Sequence, residues 1–253
     1  MNPYGFYTLL YKELLRFYKV LLQTVIAPVI TTLLYLLVFS HALKDHVTVY
    51  GHISYTTFLV PGLVMMTVIQ NAFANSSSSL IQSKVTGNIV FVLLTPLSPL
   101  EFYLAFMLAA VIRGLVVGVG VYLVACLFVP VPVHNISILL LFALLGSAFL
   151  ASLGIIAGIW AEKFDQLAGF QNFIIMPLTF LSGVFYSIHS LPDIWQGLSR
   201  FNPFFYMIDG FRYGFFGVSD VNPFYSLVFV GVVLVLLAGL TLMLLARGYR
   251  LRN

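Results

Sequence analysis

Residues 136–160 read ISILLLFALLGSAFLASLGIIAGIW, with no charged side chain anywhere in the run. A helix of that length, rising 1.5 Å per residue, outreaches the ~30 Å hydrocarbon core of a bilayer. The rest of the chain agrees with this stretch. Of its 253 residues, 61% are hydrophobic and only 8% charged, whereas a water-soluble domain carries about a quarter charged residues to cover its surface. That excludes the soluble enzyme and soluble binding-module classes and makes lipid the solvent. The chain holds 24 Phe and 14 Tyr, and the Tyr gather near expected helix ends, where a ring with one polar edge suits the headgroup level.

Five further segments, 20–40, 55–80, 100–128, 171–188 and 224–246, are long and apolar enough to span, which predicts an all-α polytopic membrane protein with six transmembrane helices. Lys12, Arg16 and Lys19 precede the first span, and Arg247, Arg250 and Arg252 follow the last. Both ends are therefore expected in the cytoplasm, as an even number of spans requires. The loops around 41–54 and 129–135 hold one basic residue, Lys44, and face outward; the loops at 81–99 and 161–170, with Lys84 and Lys163, face inward. The net charge of +4 is thus explained by orientation and anionic lipid rather than by nucleic acid. Ser40-His41-Ala42 loosely fits a signal cleavage site, but the hydrophobic run before it is too long and its flank too patterned for a cleaved signal. The whole chain, 1–253, reads as a single membrane domain.

Residues 4–19 carry a helical period. Leu10, Leu14, Phe17 and Leu21 fall on one face and Lys12, Arg16 and Lys19 opposite, which predicts an amphipathic helix on the cytoplasmic membrane surface with its basic side toward water and headgroups. It serves either as a topological anchor alone or also as a partner contact. The 81–99 loop is too hydrophobic for a free connection and too interrupted for a span. A short helix from about Thr86 to Leu94 would present Ile89, Val92 and Leu93 on one side. The chain should break at Thr95 and restart after Ser98, with Pro99 in the first turn and Glu101 at the positive helix end. An apolar helix outside the bilayer wants a protein surface, either a partner or its own bundle.

Polar residues inside the membrane are costly and so are informative. Arg113 lies near the middle of the third span, where an unpaired cation costs at least ~2.5–3.5 kcal/mol. It reads either as a pathway contact or as a lock held by an ion pair or carbonyl. Span two carries Gln70 and a stripe of Asn71, Asn75, Ser78 and Gln82 on one helical face, suited equally to polar packing or to lining a path. Gly114 with Gly118, and Gly154 with Gly158, have the spacing of close helix packing. The 183–217 segment breaks at Leu191-Pro192 and at Asn202-Pro203, leaving two short aromatic helices. These form a re-entrant hairpin over about 189–217 or an external amphipathic lid, with Asp209 and Arg212 spaced to pair. His41, His46, His52, His134 and His189 match no metal-ligand spacing, and Cys126 reads as a small buried hydrophobe.

Several blocks carry a family resemblance. They are Phe58-Leu-Val-Pro-Gly-Leu, Asn71-Ala-Phe-Ala-Asn75, Leu93-Leu-Thr-Pro-Leu-Ser and Arg113-Gly, then Pro177-Leu-Thr-Phe-Leu-Ser-Gly-Val-Phe-Tyr, Leu191-Pro-Asp-Ile-Trp-Gln-Gly-Leu-Ser and Asn202-Pro-Phe-Phe-Tyr-Met-Ile-Asp-Gly-Phe-Arg-Tyr-Gly. In this order they span nearly the whole chain, which resembles the permease subunits of ABC-2 type ABC transporters, in particular small bacterial inner-membrane permeases of the YadH and NodJ kind. The resemblance implies a homodimer bound to two copies of a separate ATPase subunit. It implies an ATPase-coupling surface of Lys84, Thr86, Asn88, Ile89, Val92 and Leu93, a smaller contact at Glu162, Lys163 and Asp165, and the N-terminal helix beside the same partner. Asp209 and Arg212 would belong to an outer gate.

No cofactor is expected in this chain, with ATP and magnesium held by the ATPase. None of the five Lys follows a Gly, as a phosphate-binding loop would need. The cargo expected is amphipathic: lipid-like, glycan or drug-like, moved outward. Two other classes compete. A membrane-embedded lipid- or glycolipid-modifying enzyme would cluster carboxylates or His on one face, and an ion-coupled carrier would place acids mid-span; the eight acids are scattered and fall in neither pattern.

Overall fold

The structure, a computed structural model, describes residues 3–43, 48–51 and 53–250. Lys44, His46, His52 and Arg252 lie outside the described residues, as does the side chain of His41. Apart from one short β-hairpin, Thr48–Val49 (β1) with Ile53–Ser54 (β2), the regular elements are helical. They are α1 (Pro3–Lys19), α2 (Leu21–Leu43), α3 (Tyr55–Val85), α4 (Ile89–Leu94), α5 (Pro99–Cys126) and α6 (Ile136–Trp160). Then follow α7 (Phe164–Phe170), α8 (Met176–Phe180), α9 (Asp193–Arg200), α10 (Pro203–Phe216) and α11 (Pro223–Ala246).

Helix starts follow local chemistry. The Ser54 hydroxyl accepts from Thr57 N at the head of α3. Ser98 and Glu101 close a capping box before α5, with Pro99 in the first turn where its missing N–H costs nothing. Asn135, Asn202 and Asn222 cap α6, α10 and α11 in the same way. The break at Thr95 and the restart after Ser98 stand where the sequence put them.

α3 is the axis of the bundle. It is buried along 78% of its most apolar stretch, against 17% for α2 and 11% for α11. It packs on α5 and α6 through backbone contact, because a Cβ added at Gly114 would come 2.8 Å from Val68 O, and one at Gly154 would come 2.6 Å from Phe73 O. The small-residue pairs read from the sequence therefore mark real helix crossings.

Among the described residues, five helices are long and apolar enough to cross a membrane: α2, α3, α5, α6 and α11. The expected span at 171–188 differs. Helix runs over 164–180 as α7, a π turn at Gln171–Ile175, and α8. It stops because Ser182 and Leu181 turn back onto Thr179 and Pro177, and Gly183 takes φ +77°, a conformation a side chain would strain. The connection read as 161–170 shrinks to three residues accordingly. α7–α8 packs on α3 through the stacked rings of Phe73 and Phe170, 5.7 Å between centroids.

Both described chain ends sit at one end of the bundle. Arg16 of α1 reaches Asn75 and Ser78 late in α3, and Arg250 reaches the Trp160 carbonyl at the close of α6. That end is called terminal below. The other, where the hairpin meets residues 183–222, is called far.

Candidate functional site

Polar chemistry concentrates at three places. At the terminal end, α1 is pinned to the bundle by a charged junction. Glu13 is fully buried and receives Lys12 Nζ at 3.2 Å and Arg16 Nε at 3.3 Å. Arg16 Nη2 donates to Asn75 O at 2.7 Å and to Asn75 Oδ1 at 3.0 Å, and Nη1 donates to Ser78 Oγ at 3.2 Å. Arg113 of α5 approaches the same amide from the other side, 3.4 Å from Asn75 Oδ1 and 3.4 Å from Asn71 Oδ1, with Phe17 over its guanidinium at 5.9 Å.

The expected basic outer face of α1 is thereby corrected. Lys12 and Lys19 are exposed, but Arg16 turns inward, because Leu9, Glu13 and Phe17 form the buried stripe and the guanidinium follows its carboxylate. Sequence reasoning passed over Glu13. Its signal was the i, i+4, i+8 spacing Leu9–Glu13–Phe17, which places an acid between two apolar anchors. Arg113 is held by side-chain carbonyls and makes no ion pair among the described residues. The Asn71, Asn75, Ser78 stripe faces α1 and α5, while Gln70 points elsewhere, its Nε2 3.4 Å from Met176 Sδ.

The second place is α4 and its neighbours. α3 ends at Thr86, Gly87 turns at φ +74°, and Asn88 begins α4 without a side-chain cap. Ile89 is buried and Val92 half-buried against Leu9, Phe102 and Phe106. The outward face is instead Val90, Phe91 (71% exposed) and Leu94 (76%), with Leu93 at its edge. The expected face of Ile89, Val92 and Leu93 is thus rotated: a helix this short packs its first residue down where the chain leaves α3. Lys84 is not free for a partner, since its Nζ donates to Ile159 O at 2.8 Å and Ala161 O at 2.6 Å, capping α6. Thr86 Oγ1 returns to Gln82 O, leaving Asn88 and Thr86 exposed beside α4. Glu162, Lys163 and Asp165 are exposed at the same end, Glu162 lying 3.9 Å from Arg250.

The third place caps the far end. Arg212 is 1% exposed; its Nη2 donates to Gly183 O at 2.8 Å and its guanidinium lies 3.9 Å above the Phe58 ring. Asp209 accepts from Asp220 N at 2.8 Å and Val221 N at 3.0 Å. The two side chains expected to pair therefore bind backbone instead, since each finds a nearer partner than the other. Asp220 accepts from Tyr50 Oη at 2.9 Å, Ser187 Oγ at 2.6 Å and Ile188 N at 2.7 Å, tying hairpin, 183–190 segment and α10–α11 turn together. Burial, opposed by Arg212 and aided by Asp220 and Asp209, pushes the Tyr50 phenol far above its ordinary range, so the hydroxyl keeps the proton it donates to Asp220. α10 is buried through most of its length, whereas α9 exposes Ile194, Trp195, Leu198 and the following Phe201. Of the two short helices, only α9 answers to a surface lid.

Among the described residues no three His, Cys, Asp or Glu side chains gather as a metal site would require.

The family described as ABC-2 type transporter matches residues 4–216. The inner membrane transport permease YadH of Escherichia coli (strain K12) is 40% identical over 210 residues, 83% of this chain and 82% of the relative. Nodulation protein J of Rhizobium leguminosarum bv. trifolii is 29% identical over 196 residues (77% and 74%), and that of Rhizobium meliloti (strain 1021) 26% over 203 (79% and 77%). The matched region runs from α1 to α10, so it contains the charged junction, α4 and the buried arginine of the far-end cap. The chain belongs to the ABC-2 type transporter family.

Proposed function

We propose that this chain is the permease subunit of an ATP-driven exporter in the bacterial inner membrane, two copies working with two copies of a separate ATPase that binds ATP and magnesium. The observation that carries the reading is the apolar face of α4, Val90, Phe91 and Leu94, left open at the terminal end beside the exposed Glu162, Lys163 and Asp165. An apolar patch rimmed by charge suits a protein partner. The family membership and the permease relatives support transport over catalysis.

Six crossings are compatible with both chain ends lying at one end of the bundle: on this reading the 164–180 helix carries the chain from the close of α6 toward the far end. On this reading α1 lies along the cytoplasmic surface and 189–217 forms the re-entrant outer segment, with Asp209 and Arg212 holding its gate. The cargo is an amphipathic, lipid-like, glycan or drug-like molecule moved outward between protomers.

The test is copurification from the native membrane. A Walker-motif ATPase should accompany the chain, and Phe91→Ser with Leu94→Ser should weaken that association about tenfold or more, as loss of central apolar anchors does. Absence of any ATPase from the wild-type preparation would refute the proposal.

A further inference from the structure

Between α1 and the last turns of α3 lies a cleft of about 450 Å³, within the ~300–1,000 Å³ range of small-molecule sites. Its chemistry is one-sided. Lys12, Arg16 and Lys19 line it, and no lining residue is acidic. The neighbouring carboxylate is Glu13, already engaged by Lys12 and Arg16. Opposite the cations stand the uncharged hydrogen-bonding groups of Gln82, Ser83 and Asn88, the last making no cap bond to α4. Just behind, Arg16 leads to Asn75, and buried polar atoms of both kinds stand without a hydrogen bond there: Asn75 Nδ2 and Arg113 Nε as donors, Glu13 Oε1 as acceptor. The mouth, by contrast, is apolar and open, with Leu15 39% and Tyr11 53% exposed. Lys19 is followed within two residues by α2, the first helix long and apolar enough to cross a membrane.

We infer that this cleft binds the phosphate of an anionic amphiphile, with the charged group between Lys12, Lys19 and Gln82 and the acyl portion leaving past Leu15 and Tyr11. A phosphate supplies the negative charge that the lining of the cleft lacks, three cations standing there with no acid among them. The apolar mouth, opening where the bilayer begins, favours a phospholipid headgroup over free phosphate as its source. The inference goes beyond the permease reading and does not require it, since it concerns binding by the chain without its ATPase.

The full chain, purified in neutral detergent, is titrated with phosphatidylglycerol and with phosphatidylcholine and the bound lipid counted by native mass spectrometry. Inorganic phosphate is added as competitor in a parallel arm. Phosphatidylglycerol should bind at one site per chain with a clear preference. Lys12→Gln with Lys19→Gln should weaken that site about thirtyfold, the combined effect of two basic contacts at a headgroup. Gln82→Leu, which changes no charge, should weaken it several-fold. Removing two exposed cations elsewhere, Lys163→Gln with Arg200→Gln, should leave it intact. If phosphate displaces the lipid at millimolar concentration the occupant is the free ion, and if not, the headgroup; both outcomes uphold a phosphate site. Equal binding of the two lipids, or equal weakening by both double variants, would overturn the inference and leave only a diffuse basic field. All four lysine and arginine positions changed are exposed, so folding is retained, and an unchanged unfolding temperature verifies it.

Discussion

Two inward-facing arginines, Arg212 buried at the far end and Arg113 half-buried in the middle of α5, are held in opposite ways. At the far end, Arg212 grips a backbone carbonyl at 2.8 Å and lies 3.9 Å from the Phe58 ring. Nearer the terminal end, Arg113 reaches two asparagine side chains at 3.4 Å each, and its aromatic neighbour Phe17 is 5.9 Å away. Backbone and ring are fixed partners, whereas amide side chains rotate, and 3.4 Å lies beyond the usual 2.7–3.2 Å of a strong N–H···O bond. The far end is built as a lock. At the junction near α1, Asn75 Oδ1 is instead shared by Arg16 and Arg113.

The comparison can be broken in order of expected effect. Arg212→Ala removes a close cation–π contact and a charged hydrogen bond in a dry site, and should lower stability by about 3–4 kcal/mol. The readout is the unfolding midpoint in detergent, and a loss below 1 kcal/mol would deny the lock. Asn75→Leu should be milder, about 1–2 kcal/mol, because it strips acceptors from two arginines that keep other partners. If the junction relays movement of α1, the same variant should also lower ATP-dependent transport more than it lowers unfolding temperature. Arg113→Lys is the smallest, within about 1 kcal/mol, since contacts this long lose little when the planar fork becomes a point charge. Should Arg113→Lys cost as much as Arg212→Ala, the two sites are alike and the distinction fails.

Much of the frame was legible in sequence, and the reasons are local. Hydrophobic length located the five long helices, and the Ser98-Pro99-Leu100-Glu101 order announced the α5 start because its capping bonds involve only those residues. Pro192 and Pro203 fixed the breaks around α9. What escaped depended on tertiary choices. Arg16 sits at a flank of the helical wheel, and the buried Glu13 three residues before it decides which way it turns. The outward face of α4 hinges on how the chain leaves Gly87, which no six-residue pattern encodes. The end of α8 at Phe180 comes from a π turn and the left-handed Gly183, whose neighbours Pro177-Leu-Thr-Phe-Leu-Ser read as continuous span. The Asp209–Arg212 spacing was correct for a helix yet misled, because backbone groups from 183 and 220–221 outcompeted the pair.

Lys84 has a mechanical consequence. By fastening its ammonium to the carbonyls that end α6, it rivets the last turn of α3 to the last turn of α6. α4 hangs from that rivet through three residues, with Gly87 as pivot. On the proposed coupling role of α4, a thrust delivered to Phe91 would load both helices at once, through the most buried long helix of the bundle rather than a peripheral strut.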